Sequence, residues 1–317
     1  MKKILMTRPL PDAVQDAARG AFDVTVRPGT DPLSDAELRA ALRDFDGVLP
    51  TLGDAFSREV FDDVPDPRCR ILANFGVGYN HIDVDAAQAV GVMVTNTPGA
   101  VTDATADIAM TLMLMSTRRA GEGERMVRAG NWPGWHPTQM LGLHLTGKIV
   151  GIVGMGRIGQ AIARRCHFGF DMQVCYHSRS PKSLKYEATP VQSLKALAQV
   201  VDVLVIAVPG GAETHHLIDA DVLDAMQDHA HLINISRGDV VDETALIRAL
   251  EQKTIGGAGL DVYEHEPHVP QALRALDNVV LLPHLGTAAL EVRTSMGLMA
   301  VENLTAFFEG KAPPNPV

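Results

Sequence analysis

A chain of 317 residues is longer than one hydrophobic core usually serves, so two domains are expected. Its 46% hydrophobic and 21% charged residues fit a globular protein in water, and no apolar run approaches the length of a membrane span. The net charge of −10, with no large lysine or arginine cluster, argues against a nucleic-acid binder.

The N-terminal "MKKILMTRPLPD" has too brief an apolar run for a signal peptide and reads as a first strand. Buried strands are expected at "KILMT" (3–7), "DVTVR" (23–27), "GVLPT" (47–51), "RILANF" (70–75) and "VMVTNT" (92–97). Amphipathic segments such as "DAELRAALRDF" (35–45) separate them, which predicts a parallel sheet covered on both faces. One long helix is expected from about Thr102 to Arg128, followed by the loop "GNWPGWHPTQMLG" (130–142). A second alternating series has strands at 148–154, 172–178, 202–209, 231–236, 257–262 and 278–284. The last helical pattern, roughly Ala288 to Glu309, is expected to return to the first domain.

Gly154, Gly156 and Gly159, with Arg157 and Ile158 among them, form G-x-G-x-x-G between a strand and a helix. The first glycine permits a tight turn, the second lets a pyrophosphate approach, and the third lets helix and strand pack closely. The following helix N-terminus supplies unpaired N–H groups for phosphate. In NAD sites an acidic residue at the end of the next strand binds the ribose 2′-OH and repels a 2′-phosphate. Here that strand ends in Ser178-Arg179-Ser180, with Lys182 close behind. A guanidinium matches phosphate geometry, so NADP(H) is preferred over NAD(H).

Three further residues follow strands of the second series: Arg237 in "NISRGDVVDE", Glu266 in "GLDVYEHEP" and His284 in "LLPHLGT". In a doubly wound sheet this is the ligand edge. Arginine can hold a carboxylate, histidine can exchange a proton near neutral pH, and a neighbouring carboxylate favours the imidazolium and orients the ring. "YEHEPH" offers no complete ligand set, so no metal is expected. His215 and His216 read as a surface loop near the cofactor without an evident partner. Cys69, Cys166 and Cys175 form no CxxC pair, which fits a reducing cytoplasm, and Cys166 and Cys175 read as packing residues.

"LGLHLTGKIVGIVGMGRIGQAIARR", "INISRGDVVDETALIRAL", "GAGLDVYEHEP" and "VVLLPHLGTA" resemble the signatures of the D-isomer-specific 2-hydroxyacid dehydrogenases. The resemblance covers nearly the whole chain, and within the family it is nearest to the glyoxylate/hydroxypyruvate reductases. It implies an α/β chain of two doubly wound domains, with a Rossmann dinucleotide-binding domain inserted in a flavodoxin-like substrate domain. Residues 1–99 and 287–317 would form the substrate domain. Residues 100–286 would form the nucleotide domain, with an interdomain and dimerisation segment near 102–142.

The same resemblance implies that Arg237, Glu266 and His284 act as a catalytic trio. The Val77 and Gly78 amides of "ANFGVGYNHID" would hold the substrate carboxylate, with Leu52 also at the substrate. Thr105 and Asp261 would lie near the nicotinamide, Val208 and Pro209 near the adenosine side, and Gly286 at the cofactor. Trp135, rather than Trp132, would reach into the partner subunit's site in a homodimer. The expected reaction is NADPH-dependent reduction of glyoxylate or hydroxypyruvate to the D-2-hydroxy acid. A nucleotide-sensing, corepressor-like protein on the same fold, or an NAD-dependent D-2-hydroxyacid dehydrogenase of other specificity, are the alternatives.

Overall fold

Twelve strands in two sheets carry the chain, described over residues 1–317 in a computed structural model. Met1–Val101 and Thr287–Val317 make one unit, and Thr102–Gly286 make the other. No helix is long and apolar enough to cross a membrane.

In the first unit the chain runs β1 (Lys3–Met6), α1 (Asp12–Ala21), β2 (Asp23–Val26), α2 (Asp35–Asp44), β3 (Gly47–Leu49), α3 (Arg58–Asp62), β4 (Ile71–Ala73), α4 (Val84–Ala89) and β5 (Met93–Thr95). Every pairing is parallel and the order is β2-β1-β3-β4-β5, the flavodoxin-like arrangement. Helix α2 starts at a capping box: Ser34 Oγ accepts from the Glu37 N–H, and Glu37 returns a carboxylate oxygen to the Ser34 N–H. One core lies under Leu38, Leu42, Phe56 and Phe61, and another under Ile4, Met6, Val14 and Ile71.

The second unit begins with α5 (Thr102–Thr117) and α6 (Ala120–Arg128). It continues with β6 (Ile149–Val153), α7 (Arg157–Phe170), β7 (Gln173–His177), β8 (Thr189–Pro190), α8 (Leu194–Ala198), β9 (Val203–Ile206) and α9 (Ala220–Ala225). Then come β10 (His231–Asn234), α10 (Glu243–Glu251), β11 (Gly257–Leu260), α11 (Gln271–Arg274) and β12 (Val279–Leu281). The order β12-β11-β10-β9-β6-β7-β8 is a parallel Rossmann sheet in which the order of adding strands reverses between β6 and β9. Strands β6, β9, β10 and β11 are almost entirely buried, as a parallel sheet covered on both faces requires. Helix α12 (Leu290–Phe308) belongs to the first unit and packs on α1. A side chain at Gly297 would stand 2.5 Å from Val14, so glycine sets how closely these helices approach.

The single helix expected over 102–128 is two helices. Arg119 sits at φ 52, in the left-handed region that L-residues avoid, and divides them. The Thr117 carbonyl leaves the helical ladder and accepts from the Leu143 N–H at 2.8 Å. Both Arg119 N–H groups that face Glu122 bond its carboxylate at 2.8 Å, which holds the break. The short strand β8 was also not expected. It lies at the sheet edge, where Pro190 withholds no needed N–H.

Candidate active site

The glycine turn connects β6 to α7. Gly154 has φ 97, and a side chain there would stand 2.6 Å from the Ala207 carbonyl oxygen. At Gly159 a side chain would run into the backbone of Gly154 and lie 3.1 Å from Ile152, so this glycine serves helix–strand contact. Gly156 differs: its φ is −78, and a side chain would meet nothing within 4 Å. Neither backbone conformation nor packing requires glycine there. The open space beside the α7 N-terminus, with its unpaired N–H groups, fits the approach of a dinucleotide pyrophosphate.

Beside this turn the Gly154 N–H donates to the His177 carbonyl, which places the end of β7 next to it. The Ser178 hydroxyl donates to the Ser180 carbonyl at 2.6 Å, and the Lys182 ammonium donates to Ser180 Oγ at 2.9 Å. The Lys182 N–H is held by the Tyr176 hydroxyl. Arg179 is 90% exposed and lies 3.7 Å from the equally exposed carboxylate of Glu213. Val208 and Pro209 follow β9, and the Val208 carbonyl accepts from the Ser236 hydroxyl at 2.7 Å.

Arg237, Glu266 and His284 come from the segments after β10, β11 and β12, three adjacent strands of one parallel sheet. Adjacency turns residues far apart in sequence into neighbours at one sheet edge. His284 Nδ1 lies 2.9 Å from Glu266 Oε2, while Glu266 Oε1 accepts the Tyr263 N–H at 3.1 Å. Both carboxylate oxygens are therefore used, and the ring leaves Nε2 for another partner. Burial pushes the Glu266 carboxyl up, but the His284 bond and charge, the Tyr263 N–H and Arg237 outweigh it and hold it below the usual carboxylate value. Burial lowers the Arg237 guanidinium from its ordinary value, against the pull of Glu266 and Asp239.

His284 adopts φ 55, a strained conformation for a non-glycine residue. Its N–H donates to the Asp261 carbonyl at 2.9 Å. The Asp261 carboxylate accepts from the next two N–H groups, Leu285 at 2.6 Å and Gly286 at 2.8 Å. The Thr105 hydroxyl donates to the Gly286 carbonyl at 3.2 Å. Thr105, Asp261 and Gly286 thus form one assembly around the turn that carries His284.

Sequence reasoning missed the residues that seat Arg237. The buried Asn234 bonds both ends of its turn, donating to the Arg237 carbonyl at 2.9 Å and accepting from the Ser236 N–H at 3.0 Å. A side chain at Gly210 would stand 2.6 Å from Arg237 Cγ, so Gly210 makes room for the arginine stem. Asn234 and Ser236 lie inside the motif "NISRGD" and carried that local signal, whereas nothing near Gly210 in sequence points to Arg237. His216, expected without a partner, is paired: its Nε2 lies 3.1 Å from Glu264 Oε1, and its ring stacks on His215. The fold brings the loop before α9 against the segment after β11, a meeting with no trace in either local sequence.

The remaining substrate candidates lie on other segments. Val77 and Gly78 follow β4 in the first unit. Leu52 is partly exposed on the turn after β3, where Arg8 donates to its carbonyl at 2.6 Å and the fully buried Asp54 binds the Thr51 N–H at 2.9 Å. Trp135 is 79% exposed on the loop after α6, and Trp132 is 53% exposed.

Known proteins resemble this chain over nearly its whole length. Residues 110–286 match the family model described as D-isomer specific 2-hydroxyacid dehydrogenase, NAD binding domain. A glyoxylate reductase of Thermococcus kodakarensis is 43% identical over 318 residues, covering 98% of this chain and 95% of that protein. A glycerate dehydrogenase of Hyphomicrobium methylovorum is 38% identical, covering 98% and 97% of the two chains. The crystal structure of an NADPH-dependent glyoxylate/hydroxypyruvate reductase of Sinorhizobium meliloti, in complex with NADP and malonate, superimposes with a TM-score of 0.88. It is 38% identical and covers 100% of this chain and 96% of that one. The chain therefore belongs to the D-isomer-specific 2-hydroxyacid dehydrogenase family of oxidoreductases, and its second unit is of the pyridine-nucleotide-binding type.

Proposed function

We propose that this protein reduces a small 2-oxo acid, glyoxylate or hydroxypyruvate, to the D-2-hydroxy acid, with NADPH preferred over NADH. The observation that carries the reading is the His284–Glu266 pair at 2.9 Å, set with Arg237 at the ligand edge of a nucleotide-binding sheet. The names of relatives that cover nearly the whole chain support it.

A bound reduced nicotinamide supplies the hydride to the carbonyl carbon. His284 delivers the proton that the carbonyl oxygen needs as its bond to carbon becomes single. Glu266 holds the ring by Nδ1, which aims Nε2 outward. Arg237 takes the substrate carboxylate through paired N–H groups. The Val77 and Gly78 amides bind a carboxylate as well, and Leu52 lies at the substrate. Trp135, exposed on its loop, fits a cap on the partner subunit's site in a homodimer.

The preference for NADPH rests on Arg179 and Lys182 beside the glycine turn and on Ser178 in place of an acidic residue. Initial rates with NADPH and NADH against a panel of 2-oxo acids test cofactor and substrate together. Arg237→Ala and His284→Ala should each abolish most of the turnover, and undiminished turnover of these acids in either variant would remove the assignment.

A further inference from the structure

The segment after β4 shows an unusual use of its backbone. Three successive carbonyls, of Gly76, Val77 and Gly78, are all taken by donors from the same unit. Asn74 Nδ2 donates to the Gly76 and Gly78 carbonyls, both at 3.1 Å. Asn96 Nδ2 donates to the Val77 carbonyl at 2.9 Å, and the Thr97 N–H adds a second bond to Gly76 at 3.1 Å. These peptides are trans, so each carbonyl oxygen points away from the N–H of the following residue. Holding the carbonyls of 76, 77 and 78 therefore fixes the directions of the Val77, Gly78 and Tyr79 N–H groups, each opposite the carbonyl of its own peptide. None of those three N–H groups donates to a backbone carbonyl.

Both asparagines are themselves held. Asn74 is buried, and His81 Nε2 lies 3.1 Å from its Oδ1; because that oxygen only accepts, the contact orients the amide with Nδ2 toward the loop. The Asn96 backbone is clamped on both sides: its N–H donates to the Asn315 carbonyl at 3.1 Å, and its carbonyl accepts from Asn303 Nδ2 at 3.3 Å. Asn303 is fully buried on α12 and accepts from the Asn315 N–H at 3.1 Å. A chain of side-chain amides thus runs from α12 and the C-terminal segment to the Val77 carbonyl.

We infer that Asn74 and Asn96 are positioning residues that make the Val77–Tyr79 backbone a three-amide cradle for the substrate carboxylate. The Tyr79 N–H joins the Val77 and Gly78 amides in it. Successive backbone N–H groups turned to one side are a recognised anion site, and one pre-set by side chains needs no ordering when the anion arrives. The inference rests on the proposed reduction of a 2-oxo acid and adds the residues that prepare the loop for it.

The test compares the parent with Asn96→Leu, close in size but without a donor, using glyoxylate turnover at saturating NADPH and inhibition by malonate. Loss of one such bond should raise the glyoxylate KM and the malonate Ki together, each by about tenfold. The kcat should stay within about threefold and the NADPH KM should not change, because neither depends on this loop's carbonyl contacts. Asn96→Gln, which keeps a donor, should recover part of the loss. If leucine prevents folding, Asn96→Ser removes the same contact. An active parent whose variants keep the parental KM and Ki, or lose kcat and NADPH affinity in step with them, would overturn the inference alone. A parent that neither reduces any 2-oxo acid nor binds malonate would remove the proposed function, and this inference with it.

Discussion

Asp261 binds the backbone N–H of Gly286 at 2.8 Å, and through the same carboxylate and its own carbonyl it also holds Leu285 and His284. One residue at the end of β11 thereby fixes three consecutive N–H groups after β12. The strained φ of 55 at His284 persists because this set over-determines the turn. Burial raises the Asp261 carboxyl against the pull of the two amides. Asp261→Ala keeps the backbone acceptor of His284 but leaves the Leu285 and Gly286 N–H groups without theirs, at about 1–3 kcal/mol for each one that water does not reach. The expected result is a lower thermal midpoint and a kcat loss larger than any rise in KM. A variant with parental kcat would show that the turn does not depend on Asp261.

Glu266 carries a pH signature. Its carboxyl is held below the ordinary value of 4.5, where burial opposes ionisation but His284, the Tyr263 N–H and Arg237 outweigh it. A carboxylate lowered on folding contributes stability above its unfolded value and loses it as pH falls through the lowered one. Glu266→Gln should therefore be less stable than the parent at pH 7, with the gap closing in acid. Denaturant midpoints across that range measure it. The same variant should lose at least about tenfold in kcat/KM, since it loses the carboxylate that holds the His284 ring by Nδ1.

The three glycines of the nucleotide turn separate stability from binding. Gly154→Ala places a side chain at φ 97 and against the Ala207 carbonyl, so it should destabilise the fold by about 1–3 kcal/mol. Gly156→Ala meets nothing within 4 Å at an ordinary φ of −78, so its thermal midpoint should match the parent. Its NADPH affinity should fall sharply, as read by fluorescence titration. Equal affinity in Gly156→Ala would mean that the phosphates do not pass there.

Arg179 faces Glu213 across 3.7 Å, both side chains in solvent. If NADPH is the preferred cofactor, as proposed, its 2′-phosphate would compete with that carboxylate for the guanidinium. Arg179→Ala should raise the NADPH KM by about 10–100-fold, as expected for a charge-assisted pair, and leave NADH nearly unchanged. Glu213→Gln should lower the NADPH KM by removing the competing charge. Parallel changes for both nucleotides would end the assigned preference.

His231 is a buried base at the start of β10, the end opposite Arg237, with Nδ1 at 2.7 Å from Ser116 Oγ on α5. Burial, aided by the charge of His229, pulls it from 6.5 to about 4. The unfolded chain takes up a proton below the ordinary value while the folded chain resists, so stability falls as pH drops from 6.5 toward 4. A shift of that size corresponds to about 3 kcal/mol at most. The difference between the parent and His231→Gln in urea unfolding, followed from pH 7 to pH 4, should shrink accordingly; a constant difference would place the proton elsewhere.

The strand alternation, the glycine spacing and the chain positions of Arg237, Glu266 and His284 were legible because each is a local pattern. A buried strand, a tight turn before a helix and a polar residue at a strand end leave marks within a few residues. The break at Arg119 left none, because it depends on the Thr117 carbonyl being claimed by Leu143 from beyond the following helix and loop. The partner of His216, the space that Gly210 leaves for Arg237, and the three N–H groups gathered by Asp261 are of the same kind. Linear order carries the residue types that chemistry needs and the periods that make helices and strands. Which oxygen meets which N–H depends on strand order and on how closely separate segments pack, and those distances exist only once the chain has folded.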